Sequence, residues 1–125
     1  MKQFKVIIAG SRKLDDYQAL SSYCDKILAN KLADPDTEVV VVSGHAPGAD
    51  SLGERYAAER GLQCELHPAD WSKGRAAGPI RNAEMASVSD ALIAFPKVGE
   101  ANRGTKNMIS QAEGKGLLIR IYNSK

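Results

Sequence analysis

No apolar run in this chain approaches the roughly 20 residues that a membrane-spanning helix requires. The opening Met1-Lys2-Gln3-Phe4-Lys5 leads into a short strand and has none of the long hydrophobic core of a secretory leader. Cysteine is scarce. Cys24 and Cys64 are the only two, and they lack the close spacing of a zinc or redox motif. Both read as buried free thiols in a reducing cytoplasm. His45 and His67 have no partners at metal-ligand spacing, so neither a metal nor a cofactor is expected. Aromatic residues make up 6% of the chain and the net charge is +2. So few stacking platforms and so weak a field argue against a nucleic-acid partner. A GxSxG elbow, a Walker lysine loop and a GxGxxG fingerprint are all absent. What remains is ordinary for a soluble protein: 125 residues, 43% hydrophobic and 26% charged. The expectation is one domain over residues 1–125, in the cytoplasm.

Within that frame the elements alternate. Phe4 to Ala9 reads as an apolar strand ending at Gly10-Ser11-Arg12. Asp15 or Asp16 caps a helix to about Leu32, with apolar Tyr17, Leu20, Cys24, Ile27 and Leu28 at steps of three and four. Val39 to Val42 is a second strand, followed by a helix from Ser51 to Arg60 that Gly61 ends. Leu62 to His67 alternates apolar and polar residues, as an edge strand does. A long loop from Pro68 to Gly78 precedes a helix over about Ile80 to Val88, with Pro79 in its first turn. Asp90 to Phe95 is a fourth strand. A short helix capped by Thr105 leads to a last strand, Leu117 to Tyr122.

Strands alternating with helices predict an α/β, Rossmann-like three-layer fold with a five-stranded, mainly parallel sheet. The first, second and fourth strands are apolar on both faces and belong in the middle. Right-handed crossovers then give the order 3-2-1-4-5. Ligands of such sheets sit at the carboxyl ends of the strands, beside the point where the order reverses. The loops brought there carry Gly10, Ser11 and Arg12, then Ser43, Gly44, Gly48 and Asp50, then Arg103, Gly104 and Thr105.

Glycines, hydroxyls and cations on one rim suit an anion. Gly44 and Gly48 let a ligand approach the backbone, and the helix after Gly48 offers unpaired N–H groups. Asp50 reads first as the cap of that helix and second as a catalytic acid. Trp71 is equally a base-stacking platform or an apolar plug, and Lys73 and Arg75 equally ligand contacts or solvated charges. Arg81, placed in a first helical turn where the dipole disfavours a cation, reads as functional.

Several of these segments together resemble the YspA-related family of the SLOG superfamily, which joins Smf/DprA proteins to LOG nucleotide hydrolases. They are Ile8-Ala9-Gly10-Ser11-Arg12, Ser43-Gly44-His45-Ala46-Pro47-Gly48-Ala49-Asp50, Pro68-Ala69-Asp70-Trp71, Ala77-Gly78-Pro79-Ile80-Arg81-Asn82 and Arg103-Gly104-Thr105. The resemblance runs from about Lys5 to Tyr122 and implies a nucleotide or nucleotide-derived ligand. Arg81-Asn82-Ala83-Glu84-Met85 resembles the arginine segment of the LOG enzymes, which cleave N-glycosidic bonds. Their glutamate, three residues after the loop threonine, falls here on Met108. An oxocarbenium-like transition state needs a carboxylate, so hydrolysis would require Glu84, Asp50 or Glu54 as a substitute. The leading expectation is binding or sensing of a nucleotide, with N-glycosidic hydrolysis second and single-stranded DNA binding third. Exposed helices such as the one at Pro79 offer a homodimer surface.

Overall fold

A computed structural model describes all 125 residues. Five strands form one all-parallel sheet in the order β3-β2-β1-β4-β5. They are β1 (Lys2–Gly10), β2 (Thr37–Ser43), β3 (Gln63–Leu66), β4 (Ala91–Phe95) and β5 (Leu118–Ile121). The predicted order is therefore observed, for the predicted reason. Every residue of β4 is buried, as are Val6 to Ala9 and Val39 to Ser43, whereas the short edge strands β3 and β5 are largely open. Residues buried on both faces fit only the interior of a parallel sheet.

Two helices cover each face. On one, α1 (Tyr17–Ala33) and α2 (Ala49–Glu59) enclose Val6, Ile8, Val41 and Ile93 with Leu20, Leu28 and Tyr56. On the other, α3 (Ala77–Val88) and α4 (Arg103–Gly114) enclose Ile7, Val42 and Leu92 with Met85, Met108 and Ala112. Each large aliphatic side chain buried this way contributes about 1.5–3 kcal/mol. Asp16 caps α1 by accepting from the Ala19 N–H at 3.0 Å. Asp25 ties α1 to α2, accepting from the Tyr56 hydroxyl at 2.6 Å and from Arg60 Nη2 at 2.7 Å. The Arg60 hydrogen bonds hold its carboxyl below the usual range. Cys24 is buried, which pushes its thiol up to about 12. Cys64 is only partly buried, because β3 is an edge. No helix is long and apolar enough to cross a membrane.

Four local expectations are corrected. The helix after the valine strand begins at Ala49 behind Gly48, so Asp50 lies inside its first turn and does not cap it. The long loop contains a 3-10 turn over Trp71–Ala76, and α3 then starts at Ala77. Arg81 is consequently in the second turn, where the helix dipole no longer opposes it. The fourth helix starts at Arg103, so Thr105 is its third residue; the cap position belongs to Asn102, at φ 53°. Asn102 earns that place by bonding loop backbone: its side chain accepts from the Lys97 N–H and donates to the Lys97 and Glu100 carbonyls.

Candidate functional site

The sheet order reverses between β1 and β4, and a cleft of about 300 Å³ opens at their carboxyl ends. Gly10, Ser11, Arg12 and Lys13 form one side, from the loop after β1. Glu100, Asn102, Arg103, Gly104 and Thr105 form the other, from the loop after β4 and the start of α4. Asp50, Arg81 and Asn82 reach in from α2 and α3, and Met85 and Met108 give the apolar floor. Nine of the thirteen residues expected to bind ligand thus line one cavity. Gly44 and Trp71 border a neighbouring pocket of about 270 Å³.

Ser43 and Gly48 line neither. Ser43 is fully buried, and its hydroxyl donates to Glu54 at 2.8 Å. The glycines act on the protein itself. A Cβ on Gly48, at φ +78°, would strike the backbone of Ser11 and Arg12. A Cβ on Gly44 would strike the Arg81 guanidinium, and one on Gly10 the Phe95 carbonyl. These three therefore allow close packing of chain on chain. Gly104 is different: nothing lies within 4 Å of the place its Cβ would occupy.

The starts of α2 and α4 differ in what surrounds them. At the start of α2 the Ala49 N–H already donates to the Ser11 carbonyl at 3.0 Å, and the Asp50 carboxylate sits close by. At the start of α4 the first intrahelical position left open includes the amides of Arg103, Gly104 and Thr105, which have no helical acceptors. Thr105 is 5% exposed and lines the cleft, and its hydroxyl has no hydrogen-bond partner in the protein. Sequence reasoning missed Lys13, Glu100 and Asn102. The Lys13–Glu100 ion pair, at 3.5 Å, joins the two sides of the cleft.

Arg81 is the centre of the charge arrangement. Its Nη1 donates to the Gly44 carbonyl and its Nε to Asn82 Oδ1 at 3.0 Å. Asn82 Nδ2 in turn donates to Asn107 Oδ1 at 3.0 Å and to the Gly104 carbonyl at 3.4 Å. One network so connects the β2 loop, α3 and the start of α4. Burial lowers the Arg81 pKa, nearby Asp50 opposes that and the like charge of Arg12 adds to it. Burial pushes the Asp50 carboxyl up to about 6 against the Ala46 N–H it accepts from and the attraction of Arg81. Glu84 stands apart at 60% side-chain exposure, outside the cleft. Glu54 is engaged by Ser43 and by His45 Nδ1 at 2.9 Å. Trp71 is 58% exposed, with the Arg12 guanidinium 5.6 Å from its ring centroid, so it is no core plug. Lys73 and Arg75 are exposed and border neither cavity.

Three comparisons bear on this arrangement. A family model described as YspA, cpYpsA-related SLOG family matches residues 4–74. The Gene 61 protein of Mycobacterium phage D29 is 34% identical over 128 residues, covering 97% of this chain and 98% of that one. Two solved structures share the fold. TM1055, a structural-genomics target, superposes with a TM-score of 0.62 at 17% identity, over 95% of this chain and 72% of that one. DNA processing protein A (DprA) from Streptococcus pneumoniae gives 0.51 at 14% identity, over 98% of this chain and 59% of that one.

Proposed function

The chain belongs to the YspA, cpYpsA-related SLOG family, and on that premise we propose that it binds or senses a nucleotide or phosphorylated nucleoside derivative. We take its setting to be the cytoplasm and its unit to be the single domain 1–125. The observation that carries this reading is the start of α4. Unpaired amides, an unpartnered Thr105 hydroxyl and the cations Arg81 and Arg103 belong to residues that line the one cleft. A phosphate there would meet hydrogen-bond donors, the positive end of the helix and fixed charge together.

The expected result is a rise in melting temperature with nucleoside mono- or diphosphates. A ligand at about 100 times its Kd adds about 2.7 kcal/mol to the folded state. A panel at millimolar concentration with no shift overturns the proposal. Gly104→Asp separates binding from folding. The position has room for a side chain, and a carboxylate in the first turn of α4 stabilises the helix by about 0.3–1 kcal/mol. It would also occupy the anion site. Melting temperature without ligand should hold or rise, while nucleotide affinity falls about tenfold or more.

One observation favours hydrolysis as a second reading. Asp50 lines the cleft, and a carboxyl raised to about 6 can exchange protons near neutral pH. It is the one carboxylate of Glu84, Asp50 and Glu54 that reaches the cavity. Met108 meanwhile is buried in the apolar layer beneath α4. Incubation with AMP, GMP, CMP, UMP and IMP, followed by chromatography for free base, decides between the two readings. The binding reading expects no release; robust release that Asp50→Asn abolishes would establish the hydrolase.

A further inference from the structure

The cleft and its neighbour share a wall. Arg12, Ala46 and Arg81 border both cavities, one of about 300 Å³ and the other of about 270 Å³. The second is also lined by Trp71 and Pro68. Trp71 belongs to neither apolar cluster of the core and leaves 58% of its surface in water. An exposed indole beside an arginine-lined pocket is a platform for a flat π-system. The wall itself is cationic. Arg12 leans over Trp71, and Arg81 is held by the Gly44 carbonyl and Asn82; neither makes a direct ion pair, and the one carboxylate beside both is Asp50, whose single charge leaves the wall net positive with Arg12 and Arg81 together. Arg103 and the open amides of α4 add more positive potential beyond the wall. A single phosphate would leave part of this charge unmet.

Resting on the nucleotide reading above, we infer that the ligand is a nucleoside polyphosphate lying across this wall. Its base stacks on Trp71, its phosphate chain crosses Arg12 and Arg81, and its terminal phosphate meets the start of α4. Ligand selection then has two parts. The arginines and α4 count phosphates, and Trp71 demands a base.

The chain contains one tryptophan, so intrinsic fluorescence reports the base pocket directly. The test titrates ADP, GDP, CDP, UDP, AMP and inorganic pyrophosphate into the protein in magnesium-free buffer, reading Trp71 emission and heat of binding together. At least one diphosphate should quench Trp71 and bind about tenfold or more tighter than AMP, as an added charge-assisted contact implies. Pyrophosphate should bind with a smaller change in Trp71 emission than that diphosphate, the change coming only through the Arg12 guanidinium over the ring. Trp71→Ala, at an exposed position, should weaken the nucleoside diphosphate about tenfold, as lost base stacking implies, and leave pyrophosphate unchanged. If AMP binds as tightly as every diphosphate, or if the diphosphates saturate with Trp71 emission unmoved, the inference fails while nucleotide binding stands. If neither nucleotide nor pyrophosphate binds, both fail.

Discussion

Gly48→Ala is expected to destabilise the protein by about 3 kcal/mol or more, although it adds one methyl group. Gly48 sits at φ +78° and ψ −127°, a conformation that an L side chain strains to adopt. The new Cβ would also meet the carbonyl groups of Ser11 and Arg12. Relief requires the β2 loop to lift from the β1 loop, which breaks the 3.0 Å hydrogen bond from the Ala49 N–H to the Ser11 carbonyl. Gly78→Ala is the matched contrast. Gly78 is helical, and nothing lies within 4 Å of the added atom. That variant should gain about 0.5–1 kcal/mol, because alanine loses less chain entropy in a helix. Urea denaturation of both variants measures the difference. Equal midpoints would mean that the contact between the two loops contributes nothing to the fold.

Asp50→Asn should stabilise the protein at pH 8, and the gain should vanish in acid. The folded carboxyl, raised mainly by burial, titrates at about 6, against an ordinary aspartate value of 3.8. Between those two values the folded chain holds a proton that the unfolded chain has released. Stability from this group is therefore complete below about 3.8 and is lost as pH rises through about 6. A shift of about two units corresponds to roughly 3 kcal/mol at alkaline pH. Asparagine removes the charge and can keep an acceptor for the Ala46 N–H. Melting temperatures of wild type and variant, taken from pH 4 to pH 8, should converge at the acid end and separate at the other. A variant less stable than wild type at pH 8 would show that attraction from Arg81 outweighs the cost of burying the carboxylate.

The sheet was legible because strand order follows from local pattern. Val39 to Val42 and Ala91 to Phe95 are apolar on both faces, whereas Leu62 to His67 alternates, and those facts sort centre from edge without any tertiary knowledge. The cleft's position followed from the order. Its inner chemistry did not, because it depends on contacts far apart in sequence. Asp50 looks like a cap from its neighbours, yet the tight turn at Gly48 starts the helix earlier and folds the carboxylate inward. Gly44 looks like room for a ligand, yet the guanidinium of Arg81, 37 residues away, fills that room. Arg81 falls in a first turn only for a helix that starts near Pro79; α3 starts at Ala77 behind Ala76, which puts Arg81 in the second turn. Thr105 has the residue type of a cap, but the left-handed Asn102 takes that position and leaves Thr105 inside the first turn, lining the cavity.

The central strand has a consequence for time as well as for place. β1 pairs with β2 soon after it in the chain, but also with β4, where Val6 meets Ala91 and Gly10 meets Phe95. The backbone of Lys5 bonds the carboxylate of Asp90 across 85 residues. Closing so long a loop is slow, while β1, α1, β2, α2 and β3 pack through nearer contacts. The half-sheet is therefore expected to assemble first, and the cleft to exist only once β4 has docked. A small molecule held there stabilises contacts absent from the early transition state. It should lengthen the lifetime of the native protein by slowing unfolding and leave the refolding rate nearly unchanged.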